Sequence, residues 1–357
     1  MKSNRLEKVI EFMKKENLEQ MIISDPASIF YLTGKWIHPG ERMLALYLND
    51  KGKNKLFVNR LFPINEDLEL EIIYFDDTDD EIKILADAIE KDKSLGIDKI
   101  WPSRFLIGLM DLDAASSYVN SSLIVDRVRM IKDEEEKELM RRASRLNDMA
   151  MEKLKEEVAK GYTEKELSDV LRGIYKEIGA DGFSFSPIIA FGANGANPHH
   201  SNTDKVAQIG DSIILDIGCV KDSYCSDMTR TVFLKETSEK SKEVFDIVLE
   251  ANKRAINEVK PGARFCDIDK AARDYIESKG YGDYFTHRTG HSIGIEVHDH
   301  GDVSAVNEDV LEAGMIFSIE PGIYLPGEIG VRIEDLVLVT EDGCEVLNTA
   351  NKEMCII

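Results

Sequence analysis

The stretch Ile213-Ile-Leu-Asp-Ile-Gly-Cys-Val-Lys-Asp-Ser-Tyr-Cys-Ser-Asp-Met-Thr-Arg-Thr-Val-Phe233 carries two acidic residues, Asp216 and Asp227, within β-branched and apolar runs. Such runs on either side of Lys221-Asp222 predict two antiparallel strands joined by a tight turn. With that turn, Asp216 lies directly opposite Asp227, and both carboxylates leave the same face of the hairpin. Because like charges in opposed positions destabilise a sheet, we expect a cation between them.

A second stretch, residues 315–339, repeats this pattern with Pro326-Gly327-Glu328 as its turn. The same count along the strands places Glu320 opposite Glu334. A segment rich in histidine and glycine, residues 287–298, lies between the two stretches. Hard divalent cations prefer oxygen ligands with an occasional imidazole. The four acids and a histidine of this segment therefore predict a cage for two divalent cations.

The histidines and one arginine near these stretches offer further site residues. His287 and His291 are four residues apart, but the glycines around them and the missing HExxH pattern favour extended backbone. Only one of the two need be a ligand. A glycine- and asparagine-rich loop delivers His199 and His200 just before the first hairpin, and for His200, as for His300, we prefer a structural role.

Arg332 lies two residues before Glu334 and so points to the same face of its strand. It either forms a structural salt bridge or holds a substrate carboxylate with both arms of its guanidinium.

Composition excludes several classes of partner. The chain of 357 residues has 45 basic and 67 acidic residues, a net charge of −22, which repels nucleic acid and anionic lipid. No apolar run is long enough to span a bilayer and the N-terminus lacks the core of a signal peptide, so we expect a cytoplasmic protein. The 5 cysteines show no CxxC spacing, which predicts reduced thiols.

The pattern of elements predicts two domains. Residues 1–126 alternate strand and helix signals, which predicts an α/β domain, and they contain no phosphate-binding glycine loop. Residues 127–357 form the second domain, and capping boxes beginning at Asp133 and Thr163 predict its first two helices. The order helix, helix, strand, hairpin occurs twice within residues 133–339, which predicts two similar halves with the site between them.

The set of predicted ligands, with Pro198-His199, His298-Asp299 and Glu320-Pro321-Gly322 around it, resembles the pita-bread metallopeptidases, specifically their prolidase and Xaa-Pro aminopeptidase branch. The matching ligand positions are Asp216, Asp227, His291, Glu320 and Glu334. The resemblance covers the whole chain. It implies a creatinase/prolidase-like α/β N-terminal domain followed by an α+β pita-bread catalytic domain with pseudo-twofold halves.

The resemblance also implies a ligand scheme and a mechanism. Asp227 and Glu334 bridge two divalent ions, Asp216 completes one site, and His291 and Glu320 complete the other. Manganese is the first expectation for both ions, with cobalt, iron or zinc as alternatives. A hydroxide held between the ions attacks the peptide carbonyl, and Glu320 carries a proton to the departing proline nitrogen.

Further roles follow from the same resemblance. His199 and His298 match histidines that steady the tetrahedral intermediate and the substrate. His287 and Arg332 match positions that line the pocket for proline. Tyr324 lies where the family commonly has tyrosine, and its role stays open.

The implied activity is that of a hydrolase for the Xaa-Pro peptide bond, with Xaa-Pro dipeptides, the substrates of a prolidase, as the expected small peptides. An Xaa-Pro aminopeptidase acting on longer peptides is the alternative, and a catalytically inactive scaffold on this fold is a remote one. Methionine aminopeptidases lack this complete N-terminal domain, and creatinase-like hydrolases lose the ligand set that this chain keeps.

The resemblance implies a homodimer as well. In such a dimer the loop Trp36-Ile-His-Pro-Gly-Glu-Arg42 is expected to lie near the partner's active site, where His38 reads the terminus of the dipeptide. An ordinary surface loop is the alternative.

Overall fold

The computed structural model describes residues 2–357. The chain divides into two compact units, Met1–Arg129 and Met130–Ile357, and each unit has buried apolar cores of its own. None of the helices formed by residues 2–357 is long and apolar enough to cross a membrane.

The N-terminal unit is an α/β domain built on a mixed sheet. Its strands are β1 (Gln20–Ile23), β2 (Leu44–Asn49), β3 (Lys55–Asn59), β4 (Glu71–Phe75), β5 (Ser94–Ile97) and β6 (Ser117–Asn120). Its helices are α1 (Ser3–Lys15), α2 (Pro26–Thr33), α3 (Glu81–Ala86), α4 (Ser103–Asp111) and α5 (Ser122–Met130). The sheet has six strands in the order β4-β3-β2-β1-β5-β6, and its inner strands β1 and β2 are buried along their whole length.

The first half of the C-terminal unit begins with two helices, α6 (Glu134–Val158) and α7 (Glu164–Ile178). Both begin at the predicted capping boxes, in which the side chains of Asp133 and Thr163 accept a backbone hydrogen bond three residues on. The strands that follow are β7 (Gly182–Phe183), β8 (Ile188–Phe191), β9 (Ser212–Ile217), β10 (Cys219–Lys221), β11 (Tyr224–Cys225) and β12 (Met228–Phe233). They form two sheets with the orders β12-β9-β8 and β11-β10-β7.

The second half repeats this plan. It has the helices α8 (Glu239–Asn257) and α9 (Phe265–Ser278). Its strands are β13 (Gly290–His291), β14 (Asp302–Val303), β15 (Ile316–Ile319), β16 (Gly322–Leu325), β17 (Ile329–Arg332), β18 (Asp335–Val339) and β19 (Cys344–Val346). β13 pairs with β14, and β16 pairs with β17. The remaining strands form a sheet in the order β15-β18-β19. The predicted repeat of helix, helix, strand and hairpin is confirmed.

The turn of the first hairpin lies one residue later than predicted. It is formed by Asp222 and Ser223, whose φ angles are 51° and 72°, as a two-residue type I′ turn requires. Lys221 stays in β10, where it pairs with Tyr224, and its ammonium lies 3.0 Å from the carboxylate of Asp181. The predicted turn at Lys221-Asp222 is therefore wrong.

This shift moves the two acids of the hairpin from opposed to diagonal positions. Asp216 pairs with Thr229, two residues beyond Asp227, so the predicted direct opposition of the acids is wrong. A displacement of two residues still leaves both carboxylates on one face, because side chains alternate with period two. Gly218 faces Asp227 in this register, and a Cβ on Gly218 would clash with the carbonyl oxygen of Ser226.

The second hairpin has the predicted register. β16 and β17 pair Leu325 with Ile329 across the predicted three-residue turn, and β15 and β18 continue in the same register. Glu320 and Glu334, which lie between these two pairings, therefore face each other across the hairpin.

Candidate active site

The two hairpins and the strand β13 bring a cluster of ligand-type side chains together. Asp227, His291 and Glu334 are buried, and each offers one ligand atom within 4.8 Å of the other two. Nε2 of His291 lies 3.6 Å from Oδ2 of Asp227 and 3.5 Å from Oε1 of Glu320. Asp216 and Glu320 line the same cavity as these three residues. All five predicted metal ligands therefore meet at one place.

Three carboxylate oxygens of this cluster fit a cation. Oδ1 of Asp216, Oδ1 of Asp227 and Oε1 of Glu334 are buried and have no hydrogen-bond partner among residues 2–357. A buried carboxylate oxygen without a partner is costly. Divalent ions satisfy such oxygens directly, so the donor set suits the metals that the sequence predicts.

In the absence of metal, burial and mutual repulsion determine the protonation states of the side chains in the cluster. Burial, followed by the charge of Glu334, raises the pKa of Asp227 well above its usual range. Burial raises the pKa of Glu320 to about 7. Burial, together with neighbouring His298, lowers the pKa of His291 to about 3. His291 is thus a neutral imidazole, the form that binds metal, and a divalent ion would favour ionisation of the acids.

Two hydroxyl side chains hold the ligands in place. Oγ of Ser318 accepts a hydrogen bond from the backbone N–H of His291 (3.0 Å) and donates one to Glu320 (3.2 Å). Oγ1 of Thr229 donates to Oε2 of Glu334 at 2.7 Å. Hydrogen bonds of this kind orient the ligands of metal sites and tune their basicity.

Arg332 is buried beside the cluster and its guanidinium bonds protein groups on several sides. Nη2 lies 2.7 Å from Oδ2 of Asp216, and Nη1 donates to the hydroxyl of Tyr324 at 2.9 Å and to the carbonyl of Pro198 at 3.4 Å. Nε donates to Oγ1 of Thr229 at 3.2 Å. The predicted face of Arg332 is confirmed, whereas its role in substrate binding stays a prediction.

A chain of hydrogen bonds connects Arg332 through Tyr324 to His287. Nδ1 of His287 lies 2.7 Å from the carbonyl oxygen of Arg288, and this contact assigns the ring proton to Nδ1. Nε2 of His287 then accepts from the hydroxyl of Tyr324 at 2.8 Å. Burial, followed by the charge of Arg332, lowers the pKa of His287 to about 4, which keeps this ring neutral at physiological pH.

The cluster opens into a cavity of about 720 Å³, within the range of small-molecule sites. Beside the five candidate ligands, it is lined by Ser184, Phe185, Ile188, Pro198, His199, His287, Arg288, Val297, His298 and Arg332. His199 is exposed on its loop, and the ring of His298 stands edge-on to that of His291 with centroids 4.3 Å apart. The structure thus places both histidines in the cavity wall.

The sequence-based reasoning missed Phe185 and Arg288 as lining residues. Phe185 precedes β8 and Arg288 directly follows His287. Side-chain alternation in extended backbone would place Arg288 on the face opposite His287 and His291, so its position in the cavity wall could not be predicted from the strand pattern.

His38 lies in the N-terminal unit, exposed, with its ring stacked on Trp36 at a centroid distance of 5.5 Å. Trp36 stacks in turn on Phe30 at 4.7 Å. Arg42 of the same loop binds Asp77 through two hydrogen bonds of 2.8 and 2.9 Å. The predicted approach of this loop to a partner's site stays a prediction.

Comparisons with known sequences support the reading of both units. The sequence model of metallopeptidase family M24 matches residues 138–341, and that of the creatinase/prolidase N-terminal domain matches residues 5–131. An uncharacterised peptidase of Staphylococcus aureus strain MSSA476 is 35% identical over 355 residues, which cover 98% of this chain and 99% of the relative.

Solved structures share the whole fold. A prolidase from Thermococcus sibiricus superposes with a TM-score of 0.94 at 34% identity, covering 100% of this chain and 99% of that one. An X-Pro aminopeptidase from Thermotoga maritima MSB8 gives a TM-score of 0.83 at 30% identity, covering 97% of this chain and 100% of that one. The predicted pita-bread fold is confirmed, and the chain belongs to metallopeptidase family M24 as a peptidase with a creatinase/prolidase N-terminal domain.

Proposed function

We propose that this enzyme hydrolyses the peptide bond before proline, with Xaa-Pro dipeptides as its main substrates, and that two divalent ions serve the reaction. The observation that carries the proposal is the buried cluster of Asp227, His291 and Glu334, with Asp216 and Glu320 beside it in the wall of one cavity. Asp216, Asp227, His291, Glu320 and Glu334 would hold these ions, with Asp227 and Glu334 shared between them.

The chemistry divides between the ions and the side chains. When bound, the two ions lower the pKa of water towards neutrality and polarise the peptide carbonyl. Glu320 accepts a proton from the attacking water as the oxygen–carbon bond forms. It then delivers that proton to the proline nitrogen as the carbon–nitrogen bond breaks, so that proline leaves as a neutral secondary amine.

His199 and His298 are assigned to the substrate's developing oxyanion. Both line the cavity, and imidazole N–H groups aimed at the place where charge develops stabilise the transition state more than the ground state. Each is thus expected to affect turnover more than binding.

In the intact substrate the proline nitrogen has no N–H for a protein acceptor, so contacts to the ring contribute to its recognition. Phe185, Val297 and the imidazole of His287 line the same cavity as the five candidate ligands. We assign them to the proline ring, with Tyr324 holding His287 in place through their 2.8 Å hydrogen bond.

A dipeptide also ends in a carboxylate. Because the chain has a net charge of −22, binding of this carboxylate requires a cationic side chain in the cavity. Arg332 is only 3% exposed and is bonded to Asp216 and Tyr324. The side chain of Arg288 is 40% exposed and forms a long ion pair of 3.9 Å with Asp302. We therefore assign the terminal carboxylate of the substrate to Arg288, while the guanidinium of Arg332 stays engaged by Asp216 and Tyr324.

An Xaa-Pro aminopeptidase for longer peptides is the second candidate. It is favoured by the fold shared with the Thermotoga maritima X-Pro aminopeptidase. The dipeptidase is preferred because the Thermococcus sibiricus prolidase matches with the higher TM-score, 0.94 against 0.83, and because Arg288 offers a cation to a free carboxylate.

The proposal is tested with enzyme stripped of metal and reloaded with manganese, our first choice of ion. Hydrolysis of Ala-Pro is compared with that of Ala-Pro-Ala, and Asp227→Asn serves as a variant that lacks one proposed bridging ligand. Cleavage of Ala-Pro alone supports the dipeptidase, and preference for Ala-Pro-Ala supports the aminopeptidase. Metal binding without cleavage of either peptide would leave the inactive scaffold as the explanation.

We further propose a homodimer in which the His38 loop of one protomer narrows the access to the partner's cavity. The stacked rings of Phe30, Trp36 and His38 provide a pre-ordered aromatic surface for this role. Sedimentation gives the oligomeric state, and His38→Ala is expected to change the ratio of Ala-Pro to Ala-Pro-Ala cleavage. An unchanged ratio would remove the loop from the account.

A further inference from the structure

The C-terminal unit contains a buried carboxylate that the proposed mechanism does not use. Glu164, the first residue of α7, has a relative exposure of 0%. Its two oxygens accept hydrogen bonds from Phe191 N (2.9 Å), Asn194 Nδ2 (2.8 Å), His200 Nε2 (2.8 Å), Thr203 N (2.7 Å) and Thr203 Oγ1 (2.7 Å). These donors stand before, within and after the glycine-rich loop 192–202, so that one carboxylate closes the loop at both ends.

This carboxylate is ionised. Burial disfavours its charge, but the hydrogen bonds from His200, Phe191 and Thr203 outweigh burial and lower the pKa of Glu164. Because an ionised carboxylate only accepts hydrogen bonds, Nε2 of His200 carries the proton in their contact. His200 thus has a definite tautomer and orientation beside Glu164.

The loop held in this way carries His199 into the cavity wall. On the far side of His199 the loop has two other anchors. The carbonyl oxygen of Pro198 accepts a hydrogen bond from Arg332 at 3.4 Å, and the backbone of Gly195 packs against that of Gly330. His199 lies between these contacts and the pair of His200 with Glu164, with its own side chain exposed to the cavity.

We propose that Glu164, acting through His200 and the ends of the loop, is a positioning residue for His199. It fixes the loop so that the imidazole of His199 meets the scissile carbonyl. This inference rests on the proposed function, in which His199 contacts the substrate. It also gives His200 a specific task, where the sequence favoured only a structural role.

Replacement of the carboxylate tests the role directly. Glu164→Gln puts an NH₂ group where donors of the loop point, and we expect kcat to fall on the order of tenfold to a hundredfold, with a smaller change in KM. Glu164→Asp keeps both oxygens and is expected to restore part of kcat. Glu166→Gln is the matched control, since Glu166 is exposed in the same helical turn and glutamine also completes a capping box; its kcat should equal that of wild type.

A double-mutant cycle separates positioning from general damage. If Glu164 acts through His199, adding Glu164→Gln to the His199→Ala variant lowers kcat by less than about twofold. Equal losses in both backgrounds would overturn the proposal. Should Glu164→Gln fail to fold, His200→Phe replaces it in the cycle, and His200→Gln, which keeps a donor towards Glu164, should retain more activity than His200→Phe.

Hydrogen exchange followed by mass spectrometry reports on the loop without relying on activity. We expect Glu164→Gln and His200→Phe to lose protection in residues 191–203 while α6 keeps its protection. Unchanged exchange in the loop would overturn the proposal. If wild-type enzyme cleaves no Xaa-Pro substrate, the proposed function is wrong, and the exchange result still decides whether Glu164 orders the loop.

Discussion

Nη2 of Arg332 lies 2.7 Å from Oδ2 of Asp216, and both residues are buried. The same guanidinium binds the hydroxyl of Tyr324, which donates in turn to His287. A proposed metal ligand is thus linked through three hydrogen bonds to the proposed proline pocket. The planar, rigid fork of arginine suits these two directions because its donors are held in fixed positions.

We predict that Arg332→Lys weakens manganese binding to the metal-free enzyme about tenfold to a hundredfold, as loss of an outer-shell partner of a metal ligand does elsewhere. A lysine ammonium cannot reach both Asp216 and Tyr324 in the same geometry. Calorimetric titration with manganese measures the effect. Arg172→Lys is the control, since the side chain of Arg172 is 68% exposed; equal affinities for the two variants would contradict the assignment.

Arg288→Gln is predicted to lower kcat/KM for Ala-Pro about tenfold to a hundredfold, the range that corresponds to one charge-assisted hydrogen bond of roughly 1.5–3 kcal/mol. Ala-Pro amide, whose C-terminus is uncharged, should be cleaved by the variant as fast as by the wild-type enzyme. Asp302→Asn removes the other member of the 3.9 Å ion pair and keeps the cation, so it serves as the control. A similar loss on both substrates would assign Arg288 to something other than the carboxylate.

The lowered pKa of His287 predicts a dependence of stability on pH. Because this pKa is about 4 in the folded protein and about 6.5 in the unfolded chain, the unfolded chain binds more protons at this residue between those values. The free energy of unfolding therefore falls as pH decreases from 6.5 to 4, by at most about 1.4 kcal/mol per pH unit. Urea denaturation at several pH values should show a flatter profile for His287→Gln. A profile for His287→Gln as steep as that of the wild type would contradict this assignment.

Gly330→Ala is predicted to destabilise the enzyme by about 1–3 kcal/mol or more, because a Cβ at this position would clash with the backbone of Gly195. Relief of the clash would move the loop of His199, so kcat should fall as well. Gly343→Ala is the control, since a Cβ there meets nothing within 4 Å, and its change in unfolding free energy should stay within about 0.5 kcal/mol. Equal stabilities would show that the two backbones separate readily.

Much of the site was predictable from local patterns. The capping boxes determined where α6 and α7 begin, and the turn Pro326-Gly327-Glu328 determined the register that sets Glu320 across from Glu334. The first turn was misplaced because its two residues with positive φ are Asp222 and Ser223. Such pairs lack the glycine that usually marks a type I′ turn, although the error left the acids on one face.

Other parts of the site depend on contacts that no local pattern reveals. Arg332 contacts Asp216, which lies 116 residues away in the sequence. A strand pattern predicts the face on which Arg332 lies, but not the residue that it binds. Glu164 looked like an ordinary residue of a helix start, because the donors that it binds follow 27 to 39 residues later. The sequence therefore identified the side chains that meet in the cluster, whereas the contacts that hold them emerged only from the packed structure.

The contact between Gly195 and Gly330 also bears on how this enzyme can evolve. At this contact the two main chains touch without intervening side chains. A larger residue at either glycine would therefore displace the hairpin of Arg332, the loop of His199, or both. This contact therefore fixes the spacing between the hairpin and the loop. We expect changes of substrate preference to be tolerated best at exposed positions such as Arg288, whose side chain is 40% exposed, because they do not alter this backbone contact.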